Sequence, residues 1–355
     1  MAEFGVYVHI PFCRSRCDYC AFATWTDRGH LVDAYVDAVV TDIERAVRAG
    51  MPVADTVFFG GGTPTLVDPA HLARILAAVP VADGPEVTVE CNPDDVNPQM
   101  MRTLADAGVN RVSIGVQSMV THVLSALGRH HDQSNVATAV QCARDAGINR
   151  VNLDLIYGSV GESLDDWSQT VRHALALRPT HVSAYGLTVE AGTPLADDPA
   201  RHPDDDEQAD KYVVADDLLT AAGLVNYEIS NWALPGEECR HNMVYWDQGD
   251  YRGFGCAAHS HEKGHRWWNV RTPDRYIDLV AAGAPVMAAD EHLEPAVREF
   301  ERLELSLRTR RGVPVESLDM GSGVLDGLVE VTDGVAVLTR EGRLLANEIS
   351  TRLNP

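Results

Sequence analysis

Short β-branched runs alternate with amphipathic helical stretches through the first two thirds of this 355-residue chain. In the stretch 31–49, for example, the apolar residues fall on one face of a helix. Parallel strands need a long connection, which a helix provides, so six such β/α units predict an α/β fold with a parallel sheet. The predicted strands are Val6–Ile10, Thr56–Phe59, Glu86–Glu90, Arg111–Val116, Arg150–Ile156 and His181–Leu187.

Two of the β/α units share a nearly identical segment. The segment DAGVNRV at 106–112 recurs as DAGINRV at 145–151. In each copy the Gly supplies the left-handed position that ends a helix, and a strand follows. Repetition at one β/α length predicts a partial (β/α)6 barrel, whose chemistry belongs on the loops after the carboxyl ends of the strands.

The pattern changes after about residue 231 to aromatic-rich and His-rich loops, followed by a long helix at 294–310. Residues 324–352 predict a turn, two short strands (329–331 and 336–339) around Asp333-Gly334, and a helix. This order is typical of a small winged-helix-like α+β domain. We therefore expect a core barrel at residues 1–235 and a C-terminal domain with a haem-binding motif region at 236–355.

The formal charge of −23 comes from 52 acidic and 29 basic residues. A field of this sign repels phosphate backbones and anionic lipids, which argues against nucleic acid or a lipid surface as partner. No apolar run approaches the roughly 20 residues that a membrane-spanning helix needs. The residues before Cys13 show no secretory signal, so we expect a cytoplasmic protein with reduced thiols.

Three of the seven cysteines follow the first predicted strand, as HIPFCRSRCDYCAF with Cys13, Cys17 and Cys20. Iron-sulfur cubanes usually take four cysteine ligands, so three thiolates would leave one iron open to a substrate. The alternative is a zinc site completed by His9 or a remote cysteine. Zinc sites usually use a second Cys pair, and the other cysteines form none. They are Cys91, Cys142, Cys239 and Cys256.

The Cys-x3-Cys-x2-Cys spacing after the first strand resembles the radical S-adenosylmethionine (SAM) superfamily. The segment YVHIPFC at 7–13 is similar to its coproporphyrinogen-oxidase-like branch, which contains an oxygen-independent coproporphyrinogen III dehydrogenase and haem chaperones. The resemblance covers essentially the whole chain. It implies a [4Fe-4S] cluster on Cys13, Cys17 and Cys20, with SAM bound beside it.

A second motif, FFGGGTPT at 58–65, follows the second predicted strand. It lacks the Lys of a P-loop and the Rossmann spacing. Three glycines permit close backbone approach and expose amide groups, whereas a tight turn would explain one of them. The resemblance implies that Gly61, Gly62 and Thr63 contact the methionine part of SAM.

Polar residues also mark three later strand ends, at Glu90, Gln117 and Asp154. Each alone is more often a satisfied structural residue than a ligand. The resemblance implies that they contact SAM together; Glu90 would accept hydrogen bonds from ribose hydroxyls or the amino group, and Arg129 would pair with a carboxylate. The further SAM-binding positions that it implies are Tyr7, Tyr19, Arg129 and Thr188.

A third motif, CRHNMVYW at 239–246, offers the imidazole of His241 among aromatic residues. Imidazole ligates haem iron, and flat aromatic side chains pack on porphyrins. A lone His in such a run is more often structural. The His-Asn-x-x-Tyr-Trp pattern resembles the haem-binding motif of the chaperones, which implies that His241 binds haem.

Within this branch, the sequence favours a haem chaperone that delivers haem to acceptor proteins, respiratory ones among them. The dehydrogenase group has a further cysteine where this chain has Phe22, and a longer segment before its first strand. The alternatives are a coproporphyrinogen III dehydrogenase, then a haem-degrading methyltransferase, and a binding protein without turnover. Two segments depart from the branch pattern, around Cys256 and at 158–161.

The cluster hypothesis predicts about four irons per chain after anaerobic reconstitution. Replacing Cys17 by Ala should abolish the iron and the broad cubane absorption, because a ligand is lost. The matched change Cys142→Ala, outside the motif, should leave both intact. Stoichiometric zinc in protein purified without oxygen, unaffected by iron supply, would contradict the hypothesis.

Overall fold

Six parallel strands form a partial barrel in the computed structural model, which describes residues 3–129 and 131–354. Each strand pairs with the next one along the chain. Every predicted strand is found, several of them longer than predicted, and the α/β partial-barrel fold is confirmed. The strands are β1 (Phe4–Ile10), β2 (Ala54–Gly61), β3 (Val81–Cys91), β4 (Arg111–Gln117), β5 (Arg150–Tyr157) and β6 (His181–Gly186).

Helices connect these strands and bury their apolar faces against them. The predicted helix at 31–49 is found as α1 (Val32–Arg48), which buries Tyr35, Val39 and Ile43 in the core shared with the sheet. Among the described residues, no helix combines the length and the apolarity needed to cross a membrane. The others in this part are α2 (Pro69–Ala78), α3 (Pro98–Asp106), α4 (Thr121–Ala126), α5 (Gln133–Asp145), α6 (Leu164–Ala176) and α7 (Asp205–Ala221).

The repeated segments form the same structure twice. Helix α3 ends at Asp106 and α5 ends at Asp145. Gly108 and Gly147 follow with φ of 106° and 87°, a left-handed conformation that favours glycine. Strands β4 and β5 begin three residues later, so the predicted kinship of these two units is confirmed.

Strands from the second half of the chain extend the barrel sheet at both ends. On one side β8 lies antiparallel to β6, and on the other β9 lies parallel to β1. The result is one 12-stranded sheet. The added strands are β7 (Val225–Glu228), β8 (Asn231–Ala233), β9 (Asp250–Phe254), β10 (His259–Glu262), β11 (His265–Asn269) and β12 (Met287–His292). The helices among them are α8 (Arg240–Trp246) and α9 (Pro273–Ala281).

The C-terminal unit is a small antiparallel sheet with three helices. Its predicted hairpin is found, and Asp333 and Gly334 both have positive φ (51° and 80°), as a two-residue type I′ turn requires. The strands are β13 (Val313–Pro314), β14 (Val329–Thr332) and β15 (Val335–Leu338). The helices are α10 (Pro295–Leu307), α11 (Arg340–Leu344) and α12 (Ala346–Ser350).

The division into residues 1–235 and 236–355 stays a prediction. Strands β9–β12 continue the barrel sheet across the expected boundary, and residues such as Phe254 and Tyr276 belong to the barrel core. A separate apolar core forms farther on, around α10 and β15, with Leu303 and Leu307 fully buried. The change of core therefore lies near residue 295.

Candidate functional site

The cysteines lie in a closed loop between β1 and α1, which we call the cysteine loop (residues 11–25). The Cys13 N–H donates to Trp25 O at 3.0 Å, and the Trp25 N–H donates to Pro11 O at 2.8 Å. These two bonds fasten the ends of the loop together. All three thiols are free and partly exposed, so they are available as ligands.

Ion pairs hold the cysteine loop against neighbouring barrel loops. Arg14 pairs with Asp95 beyond β3 at 2.7 Å, and Asp18 pairs with Arg201 at 2.8 Å. The Leu195 N–H also donates to Asp18 O at 3.0 Å. The loop is thus attached at several points across the mouth of the barrel, which keeps the thiols near the carboxyl ends of the strands.

Two residues expected to contact SAM, Thr63 and Arg129, lie beside the cysteines. The Thr63 hydroxyl is 3.7 Å from the Cys13 sulfur, and a guanidinium nitrogen of Arg129 is 3.7 Å from the Cys17 sulfur. Arg129 also donates to Gly115 O at 2.9 Å. The structure therefore places the guanidinium of Arg129 next to the Cys17 sulfur.

The three thiols are not grouped around a single-ion site in this structure. Among the described residues, Cys13, Cys17 and Cys20 do not form a set whose ligand atoms all lie within 4.8 Å of one another. A tetrahedral zinc ion would bring its sulfur ligands to about 3.8 Å from one another. The wider spacing fits a cluster that takes each thiolate on a different iron.

The glycine motif packs the end of β2 against β1. Its amides are bonded rather than free: Gly61 N–H donates to Glu90 at 3.0 Å, and Gly62 N–H donates to Ile10 O at 2.8 Å. A Cβ at Gly61, whose φ is +110°, would lie 2.4 Å from the His9 ring, and one at Gly62 would lie 2.7 Å from Phe12 O. These two glycines therefore pack closely against β1 and the start of the cysteine loop.

Glu90 and Asp154 are half-buried acids that both line the interior of the barrel. Burial and the nearby Asp154 raise the pKa of Glu90 to about 7, against a smaller lowering effect of its bond from Gly61. Burial also raises the pKa of Asp154, although Ser113 and Asn152 donate to it at 2.8 Å each. Two such carboxyls would stabilise a cationic or hydroxyl-bearing ligand.

Below these acids lies a polar network that the sequence reading missed. Asn152 donates to Ser113 at 2.7 Å and to Ser183 at 3.0 Å, and its carbonyl oxygen lies 2.6 Å from His181 Nδ1. The other His181 nitrogen lies 2.7 Å from the Tyr227 hydroxyl. Polar residues at every second position of β5 and β6 were the available signal, because alternate residues share one face.

The barrel encloses a cavity of about 630 Å³, which we call the barrel cavity. Residues 21–23 of the cysteine loop form part of its wall, and Tyr245 and Tyr251 form another part. Five predicted binding residues line it: Tyr7, Gly61, Glu90, Asp154 and His241. The predicted residues that do not line it are Tyr19, Gly62, Thr63, Gln117, Arg129 and Thr188.

His241 lies deep in the barrel cavity with both ring nitrogens engaged. Its Nδ1 is 2.7 Å from the Thr56 hydroxyl, and its Nε2 is 2.7 Å from the Tyr245 hydroxyl. The residue is 1% exposed and its ring stacks on Phe58. Burial lowers the pKa of His241 to about 4, so the ring is neutral. Ligation of haem iron by His241 would require one of these two hydrogen bonds to break.

The two segments that depart from the branch pattern are well packed. Cys256 is fully buried, and its N–H donates to the Tyr35 hydroxyl at 2.9 Å. In the other segment, Gly158 has a φ of +92° and donates to Glu162 at 2.7 Å. The first departure is thus accommodated by a hydrogen bond to helix α1, and the second by a hydrogen bond within its own loop.

Comparison with known proteins agrees with this geometry. The profile of the Radical SAM superfamily matches residues 7–174. The heme chaperone HemW of Mycobacterium tuberculosis is 41% identical over 364 residues, covering 98% of this chain and 93% of that protein. HemW of Bacillus subtilis is 35% identical, covering 97% of each chain.

The chain belongs to the HemW family of radical SAM proteins. The coproporphyrinogen III oxidase HemN of Escherichia coli has a similar structure, with a TM-score of 0.86 over 99% of this chain and 89% of that one. At 23% identity this likeness concerns the fold. The family assignment implies a [4Fe-4S] cluster and SAM, and the cysteine loop and the adjoining barrel cavity fit both.

The packing of the glycine motif predicts a steric cost at Gly61. Gly61→Ala should lower the free energy of unfolding by about 1–3 kcal/mol through overpacking against His9. Gly50→Ala is the matched control, because Gly50 also has a positive φ (+95°) but has open space around it. Urea denaturation of both variants measures the difference; equal losses would refute the steric explanation.

The raised pKa of Glu90 predicts a stability effect that depends on pH. In the folded state Glu90 keeps its proton up to about pH 7. In the unfolded chain it loses the proton near the ordinary pKa of a glutamate. Ionisation of Glu90 therefore lowers the free energy of unfolding as the pH rises. The free energy of unfolding of Glu90→Gln, relative to that of the parent, should therefore increase by about 1 kcal/mol between pH 6 and pH 8. Urea denaturation at both pH values tests this, with the exposed Glu330→Gln as control; a pH-independent difference would contradict it.

Proposed function

We propose that this protein is a haem chaperone: it holds a [4Fe-4S] cluster on Cys13, Cys17 and Cys20, binds SAM in the barrel cavity, and binds haem for delivery to an acceptor protein. The observation that supports it best is the arrangement of one cavity, with the cysteine loop on one wall and aromatic residues on another. The similarity to HemW proteins, which are heme chaperones, supports the proposal that this protein binds haem.

Different residues of the chain would bind SAM and hold the cluster. When bound, a reduced cluster of this family supplies the electron for cleavage of SAM. Glu90 would accept hydrogen bonds from the ribose hydroxyls or the amino group, and Tyr7 would line the same side. Arg129 would hold the Cys17 thiolate. Gly62, Thr63, Tyr19, Gln117 and Thr188 remain proposed SAM contacts outside the cavity wall.

Haem would bind at the part of the cavity near the exposed Phe22 more readily than at the buried His241. Phe22, in the cysteine loop, lines the cavity and is 65% exposed, an unusual position for a large apolar side chain. A porphyrin would cover that ring and gain the apolar contact. His241 was the expected ligand, but its two short hydrogen bonds would have to break first.

Haem titration of the anaerobically reconstituted protein tests the proposal. We expect about one haem per chain, with a Soret band that titrates to saturation. When reductant and SAM are supplied, 5′-deoxyadenosine should form slowly, without conversion of coproporphyrinogen III. The Cys17→Ala variant should lose 5′-deoxyadenosine formation.

Two results would contradict this function. Conversion of coproporphyrinogen III to protoporphyrinogen IX would identify the chain as a dehydrogenase. Failure of the parent protein to bind haem more tightly than an unrelated acidic protein would remove the haem assignment altogether.

A further inference from the structure

A second histidine, His259, stands at the rim of the barrel cavity. It is the first residue of β10, it lines the cavity, and its side chain is exposed. Its cross-strand partner on β11 is Trp268, and the two rings stack with centroids 5.7 Å apart and 24° between their planes. The stacking restricts the orientation of the imidazole ring, and the residue still lines the cavity.

Hydrogen bonding distinguishes His259 from His241. In the part of the chain that the structure describes, no protein group lies within hydrogen-bond distance of either ring nitrogen of His259. The other imidazole in the cavity wall whose role was predicted, His241, bonds two hydroxyls. Burial and the nearby Arg266 lower the pKa of His259, which favours the neutral form that binds a metal.

The surroundings of His259 suit an iron porphyrin. The exposed ring of Phe22 lines the same cavity, and a porphyrin packs on such faces. Arg271 also lines the cavity and is exposed, and no carboxylate of the described residues lies within 4.0 Å of its guanidinium. A free guanidinium pairs well with a carboxylate side chain of the kind that haem carries.

From this geometry we infer that His259, and not His241, supplies the imidazole that binds haem iron. The inference rests on the proposed function, because it names the ligand for the same cargo. His241 then keeps a structural role: its bonds to Thr56 on β2 and Tyr245 on α8 tie the helix to the barrel.

The test compares His259→Phe with His241→Ala and His292→Ala in cluster-loaded protein titrated with hemin. His259→Phe keeps a ring to stack on Trp268 but removes both nitrogens. His292 is the matched surface control, because its side chain is 75% exposed on β12. We expect His259→Phe to weaken haem binding roughly tenfold or more and to lose the spectrum of an imidazole-ligated haem, whereas His292→Ala binds as the parent does.

Added free imidazole should restore the ligated spectrum of a His259→Ala variant, since the vacated position can accept it. Unchanged cluster absorption in each variant shows that the fold is intact. If His259→Phe binds haem like the parent, or if His241→Ala alone loses the imidazole-ligated spectrum, the inference is overturned. If the parent itself binds no haem, the proposed function fails instead, and the two failures are thus distinguished.

Discussion

The site depends on how closely the end of β2 approaches β1. At Gly61 and Gly62 the space beyond Cα is taken up by the His9 ring and by Phe12 O, and a side chain of any size would push the strands apart. The cysteine loop starts where β1 ends, and Glu90 on β3 is tied to the same glycines through the Gly61 amide. One close backbone contact therefore helps to set the positions of the cysteine loop and of Glu90 together.

The fold was predictable because its signals are local. Alternation of apolar runs marks the six barrel strands, and the glycines at 108 and 147 end helices wherever they occur. The extension of the sheet by β9–β12 was not predictable in this way. The pairing of β9 with β1 joins residues about 245 positions apart, and only tertiary packing selects it. The same reason explains why residues 250–292 read as loops although they complete the sheet.

The candidate site was predicted in part. The sequence places Glu90 and Asp154 at strand ends, where a parallel barrel gathers them, and both line the cavity. Side-chain direction is a different matter, since neighbouring residues of a strand point to opposite sides. Arg129 follows α4, so no strand pattern fixes its direction, and it turns to Cys17. The histidine motif predicted an aromatic setting for His241 correctly, but its spacing says nothing about hydroxyl partners on other elements.

The barrel cavity is lined by groups of both charges, which suit different ligands. Glu90 and Asp154 both line the cavity, and the charge of Asp154 contributes to the raised pKa of Glu90, so a ligand with positive charge would favour the ionised form of Glu90. SAM carries such charge on its sulfonium and amino groups. Arg271, which lines the same cavity and is exposed, carries the opposite charge. If SAM and haem bind as proposed, the two acids would face the charged groups of SAM and Arg271 would pair with a carboxylate of haem.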